Sequence, residues 1–274
     1  IRYFSKSFIE SEKRYMVEVK DFNEFKHKEN DKDTFRFLKQ YMSLHRCDIF
    51  FADKVILVEG TTEKILLPLI INKVAEKLNN EYVSIIEVGG AYTVKFKELL
   101  KFINVKSLLI TDLDSVDPGN SRKTCPTNTL NAETSNSTLL NWLPKKKLIS
   151  ELIGCSENEK IDSDLIRVAY QIQEDGSNYV ARSLEESIIN RNIAFFASKY
   201  NLEGIDIAVQ DSFSLLRRKD LSVSPYELAP ASGEKTDFTF DLMTFSESET
   251  KLDWNVPKYI AEGLVWLSNN VIPK

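Results

Sequence analysis

Hydrophobic positions follow contrasting rhythms along this chain. Over Lys13–Lys20, KRYMVEVK, apolar and polar residues alternate as they do in a half-buried strand. A charged stretch, Phe22–Lys32, comes next. From Asp33 to His45 the spacing of Phe35, Leu38, Met42 and Leu44 then predicts a helix. Residues 1–50 are expected to be a lead-in, the tail of a preceding domain.

From Ala52 the rhythm changes to short continuous apolar runs separated by helical stripes. Val55–Val58 is predicted as a strand, and Leu66, Ile70, Val74 and Leu78 mark a helix. Val83–Val88 is a second strand closed by Gly89-Gly90, Val94–Ile103 a second helix, and Leu108–Thr111 a third strand running into Asp112. Strand, helix, strand, helix, strand at this spacing implies right-handed crossovers and a parallel sheet, so the expected class is α/β. Pro68 should kink the first helix unless that helix starts late.

Between Val116 and Asn178 the composition turns polar, with PGNSRKTCPTNTLNAETSNST rich in Pro, Ser, Thr and Asn. A loop is expected there, then helical segments around Thr138–Leu152 and Ser163–Ala169. Apolar segments return in YVARSLEESII and in a tail helix near Tyr259–Asn269. The expected organisation is the lead-in, a first part of the core over 51–118, a mostly helical insertion over 119–177, and a second part over 178–274 ending in a C-terminal helix. No internal repeat is visible.

Composition narrows the function. At 274 residues the chain can form one large domain or two, domains of ~100–200 residues being usual. Its 36 Lys and Arg against 41 Asp and Glu leave a net charge of −5, which attracts neither nucleic acid nor an anionic membrane globally. A polyanionic substrate must therefore be met by a local patch or by bound cations. Cys47, Cys125 and Cys155 are odd in number and form no CxxC pair, which fits a reducing, cytoplasmic setting and argues against disulfides or a zinc knuckle. The only histidines, His27 and His45, are poor candidates for catalysis or metal binding. Ile65–Ile71 is the longest apolar run, far short of the roughly 20 residues that span a bilayer. The chain begins at Ile1 without methionine or leader, and is expected to be a piece of something longer.

Acidic residues stand where an α/β sheet binds ligands, at the carboxyl ends of its strands. Glu59 ends the first strand and Asp112 the third. Asp114, two residues on, would share a face with Asp112 in an extended segment, and Glu63 sits in the first turn after Gly60. These carboxylates would repel one another without cations, and hard oxygen ligands select Mg2+, Mn2+ or Ca2+ over zinc. Gly60 would let the backbone turn and leave room beside the site. Singly, each motif is weak: Glu63 alone reads as an acid favoured by roughly 0.3–1 kcal/mol at a helix N-terminus. Agreement between separate strand ends is the stronger signal.

VEGTTE followed by LLITDLDS resembles the Toprim fold, the metal-dependent core shared by type IA and type II topoisomerases, primases and some nucleases. More specifically, VILVEGTTEKILLP, IIEVGGAY, ITDLDS, TSNSTLLNWL, RSLEES and EKTDF resemble the C-terminal half of the OLD-family (overcoming lysogenisation defect) ATP-dependent endonucleases, from about Phe50 to Leu242. The resemblance implies a Toprim-type sheet and a two-metal DNA endonuclease that hydrolyses or nicks phosphodiesters. It places Glu59 and Glu63 on one metal and Asp112 and Asp114 on the other or bridging both. Ser183 and Glu185 of RSLEES would complete the coordination, and Lys235 of GEKTDF would face the scissile phosphate. Glu59, Asp112 and Lys235 are thus the expected catalytic residues, with Mg2+ as cofactor and Mn2+ or Ca2+ as alternatives. Glu186 neighbours Glu185 but points differently on a helix, so only one of them is expected to be a ligand. The implied partners are DNA, an N-terminal ABC-type ATPase domain, further copies of the full-length protein and a separate helicase. The chain itself has no GxxxxGK[ST] motif and hence no ATP site. Defence against phage is implied by the resemblance alone.

Other readings stay open at this point. Ser183 and Glu185 can be a helix N-cap with a first-turn acid, and Lys235 a solvated loop lysine. Lys145-Lys146-Lys147 and Arg217-Arg218-Lys219 can track DNA phosphates or simply form solvated faces. LLITDLDSV also satisfies the pattern of haloacid-dehalogenase-type phosphatases, with Asp112 as nucleophile and Asp114 as acid/base. That motif normally lies on the first strand, whereas VILVEGTTE precedes it here. A non-catalytic Toprim module that dimerises or regulates an ATPase is a further alternative. A topoisomerase would need a catalytic tyrosine, which nothing marks among the ten present.

Overall fold

Strands β1 (Arg2–Ile9) and β2 (Arg14–Asp21) form an antiparallel hairpin through a 3-10 turn at Glu10–Glu12. The structure, a computed structural model, describes residues 2–22, 24–25, 32–43, 47–90, 92–200, 224–244, 246–248 and 251–269. His27, Leu44, His45 and the run Arg217-Arg218-Lys219 lie outside the described residues. The alternation over Lys13–Lys20 does yield a strand, but not a half-buried one. Tyr15, Met16, Val17 and Val19 are exposed, because among the described residues the hairpin pairs only with itself.

Helix α1 (Lys32–Ser43) follows, where the stripe predicts one; Leu44 and His45, the end of that stripe, lie outside the described residues. Phe22, Phe25 and Leu38 of the lead-in pack into the same apolar cluster as one face of the central sheet, with the Phe22 and Phe102 rings edge to face.

The central sheet begins with β3 (Lys54–Val58), α2 (Thr61–Val74), β4 (Val83–Glu87), α3 (Lys97–Ile103) and β5 (Lys106–Ile110). β3 pairs in parallel with both β4 and β5. Every residue of β3 is buried, which explains a continuous rather than alternating apolar run. Ile56, Val58, Leu108 and Ile110 join the cluster on one face; Val55, Leu57 and Leu109 join the other. Pro68 lies inside α2 on its exposed side, and the helix starts early and runs on to Val74. Leu78, the end of the expected stripe, falls instead in a separate 3-10 turn, Glu76–Asn80.

The polar segment folds as β6 (Ser115–Asp117), β7 (Lys123–Thr124) and β8 (Glu133–Thr134), a small sheet, with helices α4 (Ser137–Asn141) and α5 (Ile149–Ile153). The expected helix Thr138–Leu152 is broken in two around Pro144, which cannot continue a helix. The helix expected over Ser163–Ala169 is absent: β9 (Ile161–Asp162) turns through Ser163 and Asp164, both at positive φ, into β10 (Ile166–Ala169). A short buried apolar run between turn residues carries no clear period, and here the pairing with β5 decides for strand. The sheet order is β4-β3-β5-β10-β9, parallel except for the β9 edge.

Further along the chain come α6 (Leu184–Arg191), α7 (Ile193–Tyr200), α8 (Pro225–Leu228), α9 (Lys235–Thr244), the pair β11 (Ser246–Ser248) and β12 (Lys251–Leu252), and α10 (Lys258–Ser268). α10 is the expected tail helix. Gly263 lets it lie against the sheet: a Cβ there would stand 3.1 Å from Leu108 Cδ1 and 3.2 Å from Ala169 Cβ. The fold is thus α/β, a mostly parallel sheet covered by helices on both faces. Among the described residues no helix is long and apolar enough to cross a membrane.

Candidate active site

Because β3 and β5 are parallel neighbours with Leu57 opposite Leu109, the residues just past their ends, Glu59 and Thr111, also come side by side. The Thr111 hydroxyl donates to the Glu59 carboxylate. Asn136, just before α4, donates from Nδ2 to Glu59 Oε1 at 2.7 Å, to Thr111 Oγ1 at 2.7 Å and to the Asp112 carbonyl at 3.0 Å. Its own Oδ1 accepts from the Thr138 and Leu139 amides at 2.9 and 3.4 Å, capping α4.

Asp112 is buried, and its Oδ1 accepts a 2.6 Å hydrogen bond from Gln171 Nε2. Gln171 in turn accepts from the Leu113 amide at 2.8 Å and meets the Tyr259 hydroxyl at 3.2 Å. Asp114 is not in the extended segment expected for it. It sits in the left-handed region at φ 47°, where its amide donates to the Arg182 carbonyl and its carboxylate lies 3.4 Å from Arg182 Nη2.

Glu63 is buried in the first turn of α2. Gly60 has an ordinary φ of −134°, so its contribution is space rather than backbone freedom. A Cβ on Gly60 would stand 3.0 Å from Glu63 Oε2, and one on Gly90 would stand 2.9 Å from Glu59 Oε2. Both glycines make room for carboxylates.

α6 brings Glu185 to the same mouth, and α9 brings Lys235, whose Nζ is 3.0 Å from Glu185 Oε2. α9 is tied to α2 where Thr239 Oγ1 donates to Thr62 Oγ1 at 3.0 Å. Ser183 is the N-cap of α6, its hydroxyl accepting from the Glu186 amide at 3.4 Å. Glu186 takes a hydrogen bond from the Tyr179 hydroxyl, so the adjacent glutamates serve different surroundings.

Electrostatics confirm the crowding. Burial pushes the Glu59 carboxyl up to about 8, against the Asn136 hydrogen bond, with Asp114 and Glu63 adding to the rise. Burial likewise pushes Glu63 up to about 7, with Glu185 adding and Lys235 opposing. Asp112 is held well above the carboxylate range by burial and by Glu63, Asp114 and Glu185. Burial pulls the Lys235 ammonium down, but Glu185, Asp112 and Glu63 outweigh it and hold it above the usual lysine value.

This donor set fits a hard divalent cation: largely buried carboxylate oxygens with Lys235 beside Glu185 and Arg182 beside Asp114. Among the described residues no three of the His, Cys, Asp and Glu side chains are gathered tightly enough to grip one ion as they stand. Mg2+ asks for less, being held typically by one or two carboxylates with water completing its shell.

Beyond the mouth, Lys146 and Lys147 of the Lys145-Lys146-Lys147 run pair at the surface with Glu159 and Glu133 at 2.6 and 2.8 Å. Thr111, Gly90, Asn136 and Gln171 went unassigned in the sequence. Asn136 had a signal, since TSNSTLLNWL is one of the family-like stretches and an Asn before a helix is a favoured cap. Gln171 had none, because its role depends on β10 being a strand.

Part of this chain is similar to known proteins. Residues 50–114 match the family described as Overcoming lysogenization defect protein-like, TOPRIM domain. The chain is 26% identical over 254 residues to Endonuclease GajA from Bacillus cereus (strain HuB5-5), covering 86% of this chain and 34% of that protein. It therefore spans about a third of the length of this curated relative. Among solved structures it is similar to the C-terminal region of the Burkholderia pseudomallei OLD protein, at TM-score 0.44 and 16% identity over 80% of this chain and 98% of that one. The corresponding region of the Xanthomonas campestris pv. campestris OLD protein gives TM-score 0.40 and 18% identity over 81% of this chain and 94% of that one. The stretch matched by that family model, residues 50–114, carries Glu59, Glu63, Asp112 and Asp114.

Proposed function

We propose that this chain is the nuclease portion of a divalent-metal-dependent DNA endonuclease. The observation that carries the reading is the meeting, at one strand-end mouth, of carboxylates from β3, α2, β5 and α6 with the ammonium of Lys235. Similarity to an endonuclease and to the OLD-like TOPRIM family supports it.

Glu59, Glu63, Asp112, Asp114 and Glu185 would hold Mg2+, or Mn2+ or Ca2+ in its place, with the Ser183 hydroxyl as a further oxygen. Bound there, divalent ions supply charge that activates a water and stabilises the leaving oxygen of a phosphodiester. The chain's own residues do the rest. The buried carboxylates keep the mouth selective for cations. Lys235, released from Glu185, aims an ammonium at negative charge building on the phosphate. Asn136 and Gln171 hold the strand-end acids in place.

With a net charge of −5 and its lysine run partly paired, the chain would approach DNA through metal rather than through its own charge. An N-terminal ABC-type ATPase domain, self-association of the full-length protein and a helicase partner belong to the same proposal.

The test is incubation of the chain with supercoiled plasmid in Mg2+, Mn2+, Ca2+ or EDTA. Metal-dependent nicking or linearisation supports the reading. An aspartyl-phosphate trapped on Asp112 would point instead to the phosphatase alternative, and a metal-binding but inert chain to a regulatory module.

A further inference from the structure

Each strand-end acid is gripped by an amide side chain whose other end is locked to the backbone. Asn136 Oδ1 is committed to the amides at the start of α4, which forces Nδ2 towards Glu59 Oε1. Gln171 Oε1 is committed to the Leu113 amide, which forces Nε2 towards Asp112 Oδ1. The backbone donors settle which end of each amide is oxygen and which is nitrogen. Both amides are buried, Gln171 completely, where hydrogen bonds strengthen and turning away would leave polar atoms without partners.

We propose that Asn136 and Gln171 are positioning residues. They hold one oxygen of Glu59 and one of Asp112, so that each acid offers only its other oxygen to a bound cation. Thr111 helps by donating to the same Glu59 carboxylate. The two clamps act on neighbouring strands, and Asn136 also touches the Asp112 carbonyl at 3.0 Å, so the two acids are set relative to each other as well as individually. This inference rests on the metal-dependent reading above and adds residues that neither touch the ion nor the phosphate.

Isosteric substitution separates positioning from packing. Asn136→Asp keeps the α4 cap, and Gln171→Glu keeps the acceptor for the Leu113 amide, but each replaces the donor facing an acid with an acceptor. Because a new buried carboxylate can unfold the chain, Asn136→Ser, which retains a capping hydroxyl, and Gln171→Met, which conserves volume, serve as neutral counterparts. Mn2+ binding to the 274-residue chain is measured by calorimetry, with the manganese electron-resonance spectrum of each variant reporting ligand geometry. The expected result is folded variants whose Mn2+ affinity falls about 10- to 100-fold, the usual effect of losing a group that orients a ligand, with an altered spectrum. Wild-type affinity and spectrum in any folded variant overturn its clamp. Failure of the wild-type chain to bind Mn2+ overturns the metal reading and this inference with it.

Discussion

Lys235 and Glu185, fifty positions apart, meet as ammonium and carboxylate 3.0 Å apart between α9 and α6. Glu185 is almost wholly buried and Lys235 more than a third exposed, so the buried carboxylate gains a neutralising partner while the lysine has freedom to leave. Lysine cannot ligate a cation while protonated, and a metal entering the mouth would take over its neutralising task.

Lys235→Ala should therefore keep its fold and its metal while losing plasmid cleavage by about 10²- to 10³-fold, the range for removing one transition-state donor. It should also melt earlier than wild type in EDTA, with the gap closing in Mg2+. Cleavage at the wild-type rate would return Lys235 to the status of a solvated lysine.

Asp112→Asn should lose Mn2+ binding and cleavage together. Without metal the same variant should be no less stable than wild type, since it removes a buried carboxylate held among Glu63, Asp114 and Glu185. Calorimetric titration and thermal melts in EDTA check both halves; undiminished Mn2+ affinity would remove Asp112 from the site.

The acids also predict a pH dependence. Glu59 is raised to about 8 and Glu63 to about 7 in the fold, whereas unfolded glutamate titrates at roughly 4.3. The folded chain thus binds these protons more tightly than the unfolded one, so the stability they contribute is complete below the unfolded value and is lost as pH rises through the folded values. In EDTA the melting temperature of wild type relative to Glu63→Gln should fall as pH rises from about 4.5 to about 7, the range between the unfolded and folded values of Glu63. Mg2+ should flatten that difference. A wild type that gains on the variant as pH rises would contradict the burial of these carboxylates.

Gly263→Ala tests the packing that sets the sheet under the site. Alanine improves helix propensity by up to about 1 kcal/mol, but its methyl would press on Leu108 and Ala169, both buried in the core. Overpacking of this kind costs about 1–3 kcal/mol, so a net destabilisation is expected in urea melts. A more stable variant would mean that α10 can lift from the sheet at no cost.

Much of this molecule is written in local pattern. The buried runs ending at Val58 and Ile110 and the helical stripe between them specify a parallel unit, and with it the convergence of Glu59 and Asp112, because strand ends in such a unit share one mouth. The family-like stretches added Glu185 and Lys235 to the candidate list. What local pattern leaves open is anything that depends on a partner distant in the chain. Ile166–Ala169 has no period of its own and becomes a strand by pairing with β5. That pairing delivers Gln171 to Asp112, 59 positions away, and tight turning at Asp114 swings its carboxylate towards Arg182. The exposed face of β2 makes the same point in reverse: alternation says that two faces differ, while burial depends on whether another layer arrives to cover one. Side-chain type and spacing select the chemistry, but the orientation of each carboxylate is set by hydrogen bonds that exist only once the chain has closed around them.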